Sequence, residues 1–364
     1  MRIAPPYLIA AVIAAQALLG MIPALAESAP ATNAALDPTA INAAPLTDIS
    51  AAYEPPARAE PHFLPATPES KGWPMIDSAG GKLQRSAAVV RMEILLDRAG
   101  ASPGVIDGFD GENLRKAVSA FEIMQGGKPD GIVTPALLQA LSAFDAVEGV
   151  IGSYVIVEAD VAAIVPPLPK DYGEMAKLSL LGYTSVAEEL AERFHMDQKY
   201  LEALNPAATF TAGETIYGAI TGADRKGAVV RIEADKAARQ VRAYAADGSL
   251  LVAYPATIGS TSTPSPSGTH TVLAVAENPT YTYNPEINFK QGKNDKVLTL
   301  PPGPNGPVGS VWIDLSEPTF GIHGTPEPSL IDKAASHGCV RLTNWDAEEL
   351  AKMVSKGVTV DFLS

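Results

Sequence analysis

Three short runs of apolar residues between residues 229 and 254 constrain the fold of the C-terminal part of this chain. Within the runs, apolar and polar side chains alternate, which is the period of a strand with one buried face. The triplet Asp247-Gly248-Ser249 is typical of a tight turn between strands. A helix from Asn344 to about Ser355 and a strand from Val358 to Phe362 are predicted to close the chain. The pattern therefore predicts a mainly β domain that begins with the runs Val229, Val230, Ile232, then Val241, Ala243, Tyr244, then Leu250, Leu251, Val252, Tyr254.

The chain has one cysteine, Cys339, among its 364 residues, and two of its five histidines lie close to it. These residues occur in two segments, Gly321-Ile322-His323-Gly324-Thr325 and Ser336-His337-Gly338-Cys339-Val340-Arg341-Leu342. A cysteine attacks as its thiolate, so a reactive cysteine needs a base or a positive charge beside it. A lone cysteine is more often a small buried apolar residue, but that interpretation accounts for neither the histidines nor the glycines. The two segments predict a cysteine acyl-transfer site.

Each residue type in the second segment has a use in acyl transfer. Gly338 permits a tight turn, in which the amides of His337, Gly338 and Cys339 can converge on a developing oxyanion. Arg341 can bind a substrate carboxylate through two parallel hydrogen bonds. The spacing leaves two candidates for the base, His323, sixteen residues before Cys339, and His337, next to the turn.

The H-G-T segment followed by S-H-G-C-V-R-L resembles the signature of the L,D-transpeptidase catalytic domain of bacterial cell-wall enzymes, over about residues 228 to 364. The resemblance implies a mainly β, sandwich-like fold. It further implies that Cys339 is the nucleophile and that His323 is the base. The backbone carbonyl of Gly324 is implied to orient His323, with His337 in support and Gly338 in the oxyanion hole.

The same resemblance implies a set of substrate-binding residues. Ser336 and Arg341 belong to the motif itself. Tyr281, Tyr283 and Asn288 are implied to lie in a loop beside the substrate groove, although ordinary packing of a long loop explains these three residues equally well.

The activity implied by the resemblance is acyl transfer on peptidoglycan stem peptides, with no metal or cofactor. Cleavage of the bond between a diamino acid and D-Ala would give a thioester, which a second stem resolves as a 3→3 cross-link. Water or an amine of an outer-membrane protein could take the acyl group instead. A non-catalytic wall-binding protein is the alternative of another class, and the intact motif argues against it. Carbapenems are implied as covalent inhibitors, because they acylate the same thiol.

Two smaller modules are predicted upstream. Residues 83–146 show three apolar helical faces separated by Asp-Gly turns, and they resemble the three-helix peptidoglycan-binding domain. A calcium site is the weaker alternative there, because the spacing of an EF-hand is missing. Residues 150–222 resemble a divergent LysM domain, a glycan-binding βααβ unit, interrupted by a Pro-rich insertion that begins at Pro166. In this module His195 is predicted to cap the end of a helix.

The N-terminus predicts export to the periplasm and association with the cell wall. Residues 1–26 have the charge, the apolar stretch and the Ala24-Leu25-Ala26 site of a cleaved signal peptide. An uncleaved anchor over Ile9 to Leu25 is the alternative. Residues 27–82 are rich in Ala, Pro, Ser and Thr and predict a flexible linker. The net charge of −14 gives no electrostatic reason to bind nucleic acid or anionic lipid.

Overall fold

The computed structural model describes residues 33–49, 84–145, 148–260, 263–334 and 336–364. The predicted signal peptide lies outside these ranges, as does most of the predicted linker. Within the described ranges, no helix has both the length and the apolar character needed to cross a membrane.

Helices dominate the first half of the described chain and strands the second half. The helices are α1 (Pro38–Ala43), α2 (Ala87–Arg98), α3 (Glu112–Met124), α4 (Pro135–Leu141), α5 (Glu158–Ala162), α6 (Tyr172–Met175), α7 (Val186–Arg193), α8 (Gln198–Leu204) and α9 (Asn344–Met353). The strands are β1 (Ile151–Val155), β2 (Thr215–Ala219), β3 (Arg231–Asp235), β4 (Gln240–Tyr244), β5 (Leu250–Pro255), β6 (Thr257–Ile258), β7 (Gly268–Glu277), β8 (Tyr281–Tyr283), β9 (Leu298–Leu300), β10 (Val311–Leu315), β11 (Gly321–His323), β12 (Val340–Arg341) and β13 (Thr359–Leu363).

The C-terminal domain is built on one mixed sheet with the strand order β5-β4-β3-β13-β7-β10-β11-β12-β6. The long strand β7 joins two halves of this sheet, because its first residues pair with β13 and its later residues with β10. Apolar side chains from both halves and from α9 share one core. The predicted β-rich domain, with a helix and a strand at its end, is confirmed.

The three predicted helices of residues 83–146 are present as α2, α3 and α4. Thr134 caps α4, since its hydroxyl accepts a hydrogen bond from the amide of Leu137, and Pro135 occupies the first turn. The buried faces of α2 and α3 pack into a core that continues into the following module. The helical domain is therefore confirmed, but it does not have a core of its own.

The linker prediction is wrong for residues 33–49. This segment forms α1 between two short 3₁₀ helices, and Ile41 and Ile49 are buried in the shared core. Asp37 caps α1 by accepting hydrogen bonds from two backbone amides, and Pro38 begins the helix. The side chain of Asn42 accepts a hydrogen bond from the amide of Ile151, at 2.9 Å. Few large side chains suffice here, because the segment covers a core that other elements supply.

Residues 150–222 contain the predicted order of strand, two helices and strand. β1 and β2 are antiparallel, and α7 and α8 lie between them in the chain. Ser185 caps α7 by accepting a hydrogen bond from the amide of Glu188, at 3.1 Å. Two further helices lie between β1 and α7: α5 follows β1, and α6 lies in the Pro-rich insertion. The resemblance of this module to LysM remains a prediction.

His195 has more contacts than a helix cap requires. It follows α7 with a φ of 55°, and its Nδ1 atom lies 3.0 Å from Oδ2 of Asp97 on α2. Its ring stacks on that of Trp345 in α9, with centroids 5.1 Å apart. His195 thus links all three parts of the chain, which sequence reasoning did not anticipate.

The three modules pack into one compact unit, residues 33–364. The amide of Ala253 in β5 donates to the carbonyl of Gly100, and the amide of Ser102 donates to the carbonyl of Ala253. In the loop between β11 and β12, the carboxylate of Asp332 binds Lys116 of α3 at 2.5 Å and Arg239 at 2.7 Å. The helical domain therefore holds the loop that separates His323 from Cys339.

Candidate active site

Two short parallel strands bring the two motif segments together. In the register of β11 and β12, Ile322 lies opposite Val340 and His323 lies opposite Arg341. The amide of Leu342 donates to the carbonyl of His323 at 2.8 Å, which extends the pairing. Side chains alternate between the faces of a strand, so His323, Arg341 and Cys339 project from the same face. The fold therefore places the imidazole of His323 on the same strand face as the thiol and the guanidinium, which lie sixteen and eighteen residues further along the chain.

His323 is held in one tautomer by the backbone. Its Nδ1 atom lies 2.7 Å from the carbonyl oxygen of Gly324. A carbonyl can only accept, so Nδ1 carries the proton and Nε2 has a free lone pair. The ring is buried and stacks on Trp312, with centroids 5.5 Å apart. Burial lowers the pKa of His323 to about 3, and the positive charge of Arg341 acts in the same direction. The imidazole is neutral in the resting site.

Gly324 has no room for a side chain. A Cβ atom there would lie 2.1 Å from Oδ1 of the buried Asn344 at the start of α9. The same Oδ1 atom accepts a hydrogen bond from the amide of Ser310 at 3.2 Å. The carbonyl that orients His323 is thus fixed by close packing against α9.

The thiol of Cys339 is partly buried and protonated in the resting site. Its Sγ atom lies 3.7 Å from the carbonyl oxygen of Thr319, to which it can donate a weak hydrogen bond. Burial raises the pKa of Cys339, while the amide of Gly321 and the charge of Arg341 work against this rise. The resting site therefore contains a neutral thiol and a neutral imidazole, rather than a thiolate and an imidazolium.

The turn before Cys339 is fixed by hydroxyl groups. Gly338 has a φ of 109°, where a side chain is strained, and an added Cβ would lie 2.7 Å from the ring of Phe320. Oγ of Ser265 donates to the carbonyl of Gly338 at 2.6 Å. The hydroxyl of Ser336 donates to the carbonyl of Cys339 at 2.7 Å and accepts from the amide of Gly259 at 2.8 Å.

Two amides of this turn are free to bind an oxyanion. Within the described ranges, the backbone N–H groups of His337 and Cys339 have no hydrogen-bond partner. The amide of Gly338 faces Oγ of Ser336 at 3.3 Å. Of the three amides predicted to converge on an oxyanion, the pair from His337 and Cys339 is therefore the one left for a ligand.

Arg341 is half-buried and carries a charge that the protein does not neutralise. Its guanidinium forms no ion pair or hydrogen bond with any residue in the described part of the chain. Such a group beside a reactive thiol is suited to bind a carboxylate through two parallel hydrogen bonds.

Four of the predicted site residues make contacts that the motif alone does not define. Ser336 is buried and its hydroxyl is used by the turn, so it braces the backbone instead of facing a substrate. His337 is exposed, and its ring stacks on Phe289 at 4.4 Å. Tyr283 is fully buried, and its hydroxyl accepts a hydrogen bond from the amide of Gln291. The exposed Asn288 accepts a hydrogen bond from the amide of Asn284 at 2.8 Å, which closes a local turn.

Tyr281 is the predicted flanking residue whose pKa is influenced by Cys339. It belongs to β8, as Tyr283 does, and β8 pairs with β9, whereas Asn288 lies in the loop between these two strands. Burial raises the pKa of Tyr281; Cys339 adds to the rise, and the charge of Arg341 opposes it. Cys339 and Arg341 are therefore among the groups that act on the pKa of this phenol.

Sequence reasoning missed several residues that shape the site. Trp312 against His323 and Phe320 against Gly338 come from neighbouring strands and loops, and no local pattern marks them. Thr319 has a φ of 74°, a conformation that its residue type does not predict. Ser265 lies in a Pro-Ser-Pro-Ser-Gly run, whose density of turn residues was an available signal.

Two protein-family models match the chain. Residues 229–361 match YkuD, described as the L,D-transpeptidase catalytic domain. Residues 85–141 match a family described as "Putative peptidoglycan binding domain". Both matches coincide with the regions for which the sequence suggested these families.

Individual relatives carry the same family name. A "Putative L,D-transpeptidase YkuD" of Bacillus licheniformis is 47% identical over 64 residues, which are 18% of this chain and 39% of that protein. The "Probable L,D-transpeptidase ErfK/SrfK" of Escherichia coli is 30% identical over 142 residues, 38% of this chain and 44% of that protein. The chain thus spans less than half the length of either relative.

Among solved structures, L,D-transpeptidase 3 from Mycobacterium tuberculosis, in complex with a faropenem-derived adduct, aligns with a TM-score of 0.32 and 16% identity. The alignment covers 42% of this chain and 75% of that one. Taking the family models together with the paired motif segments, residues 229–361 are an L,D-transpeptidase catalytic domain of the YkuD family, and a domain of the peptidoglycan-binding family precedes it.

Proposed function

We propose that this chain is a peptidoglycan L,D-transpeptidase that uses Cys339 as its nucleophile and His323 as its base. The observation that carries the proposal is the hydrogen bond from Nδ1 of His323 to the carbonyl of Gly324. It leaves Nε2 as a proton acceptor on the same strand face as the thiol. The membership of this domain in the YkuD family supports the choice of substrate.

In the first half of the reaction, the thiol proton moves to Nε2 of His323 as the sulfur attacks the carbonyl of the diamino acid in a tetrapeptide stem. The oxyanion is stabilised by the free amides of His337 and Cys339. The tetrahedral intermediate then collapses. The bond to D-Ala breaks, the leaving amine takes the proton from His323, and a thioester on Cys339 remains.

In the second half, an amine from a second stem attacks the thioester and gives its proton to His323. The carbon–sulfur bond breaks, the sulfur regains a proton, and a 3→3 cross-link is formed. Water in place of the amine would give an L,D-carboxypeptidase, and an amine of an outer-membrane protein would give a protein attached to the wall. All three reactions share one acyl-enzyme.

Arg341 supplies the charge that selects a stem peptide. Its unneutralised guanidinium lies in β12, two residues after Cys339 and opposite His323, so a carboxylate bound there would be held beside the scissile bond. We assign Arg341 to substrate binding and leave Tyr281 as a second wall of the same site.

The protein is proposed to act outside the cytoplasm, on the cell wall. The signal-like N-terminus and the family of residues 85–141 support this location. The helical domain and the LysM-like module would hold the enzyme on peptidoglycan stems and glycan, and both pack with the catalytic domain into one compact unit.

Carbapenems are proposed to inactivate the enzyme. A strained β-lactam carbonyl meets the same thiol, base and oxyanion amides as the stem carbonyl, and opening of the ring leaves no group that diffuses away. A single mass increase on Cys339 is the expected product.

The test is product analysis by mass spectrometry after incubation of the protein with a disaccharide-tetrapeptide. A dimer lacking one D-Ala is expected from the unaltered protein and not from Cys339→Ala. Tripeptide alone would identify water as the acceptor or indicate that a protein acceptor is missing. Unchanged substrate combined with tight binding to isolated cell walls would overturn the catalytic proposal and favour a non-catalytic wall-binding protein.

A further inference from the structure

The Pro-rich insertion of the LysM-like module packs on the catalytic domain. We call residues 163–184 the cross-module segment. Along its length it is bonded to the hairpin of β8 and β9 and to the loop that follows. The amide of Leu181 donates to the carbonyl of Pro302 at 2.8 Å, and the side chain of Gln291 donates to the carbonyl of Lys170 at 2.8 Å. The insertion is therefore part of the surroundings of the active site.

A small apolar core fixes this contact. Leu181, Tyr283 and Leu300 are fully buried together, and other apolar side chains of the segment and the hairpin pack around them. The side chain of Asn294 donates to the carboxylate of Asp171 at 3.1 Å. The position of the cross-module segment is therefore set by buried contacts and by hydrogen bonds with both backbone and side chains.

Tyr172 is the residue of this segment that extends toward the reactive groups. Its ring meets those of Tyr281, Tyr283 and Phe289 edge to face, with centroids 6.3, 5.3 and 6.0 Å apart. Phe289 in turn stacks on His337, two residues before Cys339. A continuous row of rings thus connects a residue of the LysM-like module to the catalytic turn.

Three polar groups around this row are unused. In the parts of the chain that the structure describes, the hydroxyls of Tyr172 and Tyr281 have no hydrogen-bond partner, and neither has the guanidinium of Arg341. Burial raises the pKa of Tyr172 to about 12, and the positive charge of Arg341 opposes that rise. The phenol of Tyr172 therefore stays protonated at neutral pH, and its pKa is influenced by the charge of Arg341. Two phenol donors and one guanidinium are complementary to a carboxylate.

We propose that Tyr172 is a substrate-binding residue supplied by the LysM-like module, whose hydroxyl donates a hydrogen bond to the carboxylate that Arg341 binds. The proposal rests on the function proposed above, because it takes a stem peptide as the ligand. It makes the substrate site a property of two modules, so that the catalytic domain alone lacks one of the donors.

The removal of one hydroxyl tests this assignment. Tyr172→Phe keeps the ring contacts and loses the donor. Because a hydrogen bond to a charged group is lost, the KM for the tetrapeptide stem is expected to rise on the order of ten- to a hundredfold. kcat and the melting temperature are expected to stay unchanged, since the ring contacts remain.

A matched control comes from the same segment. Tyr183→Phe also removes one hydroxyl, but that hydroxyl donates to the buried carboxyl group of Glu192 at 3.2 Å. That variant is expected to change the melting temperature and leave KM unchanged. A second control uses a stem whose diamino-acid carboxylate is amidated. Unaltered protein and Tyr172→Phe should then have the same KM.

The outcomes separate the two proposals. If the unaltered protein processes neither stem, the proposed function fails. If it processes the carboxylate stem and Tyr172→Phe has the same KM, the role of Tyr172 fails and the function stands. If Tyr172→Phe raises the KM for both stems equally, the hydroxyl does not bind the carboxylate, and the inference is again overturned.

Discussion

At the scale of single residues, the site holds its nucleophile and its base in their neutral forms. Burial raises the pKa of Cys339 and lowers that of His323 to about 3, so the resting site does not contain an ion pair. The proton is therefore transferred during attack, and the imidazolium forms only when an oxyanion is present to stabilise it. The positive charge of Arg341 favours the thiolate.

The pH dependence of alkylation by iodoacetamide reports the protonation state of the Cys339 thiol directly, because Cys339 is the only cysteine in the sequence. The alkylation rate is expected to rise in one step at a pH above the ordinary range of cysteine pKa values, without a plateau at acidic pH. Arg341→Met removes a positive charge that favours the thiolate, so the rise in alkylation rate of this variant should lie at higher pH. Lys128→Gln removes the same charge from an 85% exposed side chain of the helical domain and should not move the step. A plateau between pH 4 and 7 would indicate a thiolate–imidazolium pair and contradict the account.

At the scale of elements, the turn before Cys339 depends on a glycine that has two separate constraints. Gly338 has a φ of 109°, and the ring of Phe320 leaves no space for a Cβ atom at this position. Gly357, between α9 and β13, has a φ of 95°, and no heavy atom lies within 4 Å of an added Cβ. A side chain would therefore strain the backbone at both positions, but only at Gly338 would it also clash with a neighbouring residue.

Gly338→Ala and Gly357→Ala therefore form a matched pair. Each is expected to lower the free energy of unfolding by about 1–3 kcal/mol through backbone strain. Gly338→Ala should also lower kcat/KM by at least about tenfold, because the turn that carries the oxyanion amides must shift. Denaturant unfolding and product formation check both expectations. Equal activity in the two variants would show that the turn geometry does not limit the reaction.

Local patterns predicted those elements whose signal lies within a few residues. The alternation from Val229 to Tyr254 and the final helix and strand were of this kind. Residues 33–49 were missed because their Ala- and Pro-rich composition masked a helix start, although Asp37 before Pro38 was a readable cap. The pairing of His323 with Gly324 followed from the motif. The position of Tyr172, 167 residues before Cys339, depends on tertiary packing that no local pattern encodes.

At the scale of the whole molecule, a buried carboxyl joins the LysM-like module to the catalytic domain. Oε2 of Glu192 in α7 accepts hydrogen bonds from Nδ2 of Asn344 at 2.9 Å and from the hydroxyl of Tyr183. Burial raises the pKa of Glu192 to about 8, although both hydrogen bonds act to lower it. The folded protein therefore binds this proton more tightly than the unfolded chain does.

This pKa gives the stability a pH dependence of known sign. The pKa of Glu192 in the folded state is raised above the ordinary value of about 4.3. The stabilisation that the protonated Glu192 gives the folded state is therefore complete below about pH 4.3, and it is lost as the pH rises toward about 8. Glu192→Gln imitates the protonated acid. Its melting temperature should exceed that of the unaltered protein by about 1–3 °C more at pH 8.5 than at pH 5. Glu202→Gln on the exposed side of α8 is the control. An equal change in both variants at both pH values would contradict the assignment.

The most direct test of the central claim is to capture the acyl-enzyme. The protein is mixed briefly with a disaccharide-tetrapeptide, quenched in acid, and examined by intact-mass measurement and peptide mapping. The account predicts a thioester of the stem without its terminal D-Ala, located on Cys339. It also predicts that the adduct forms much more slowly in His323→Gln. A stem adduct on any other residue, or stem cleavage that persists in Cys339→Ala, would contradict the claim that Cys339 is the nucleophile.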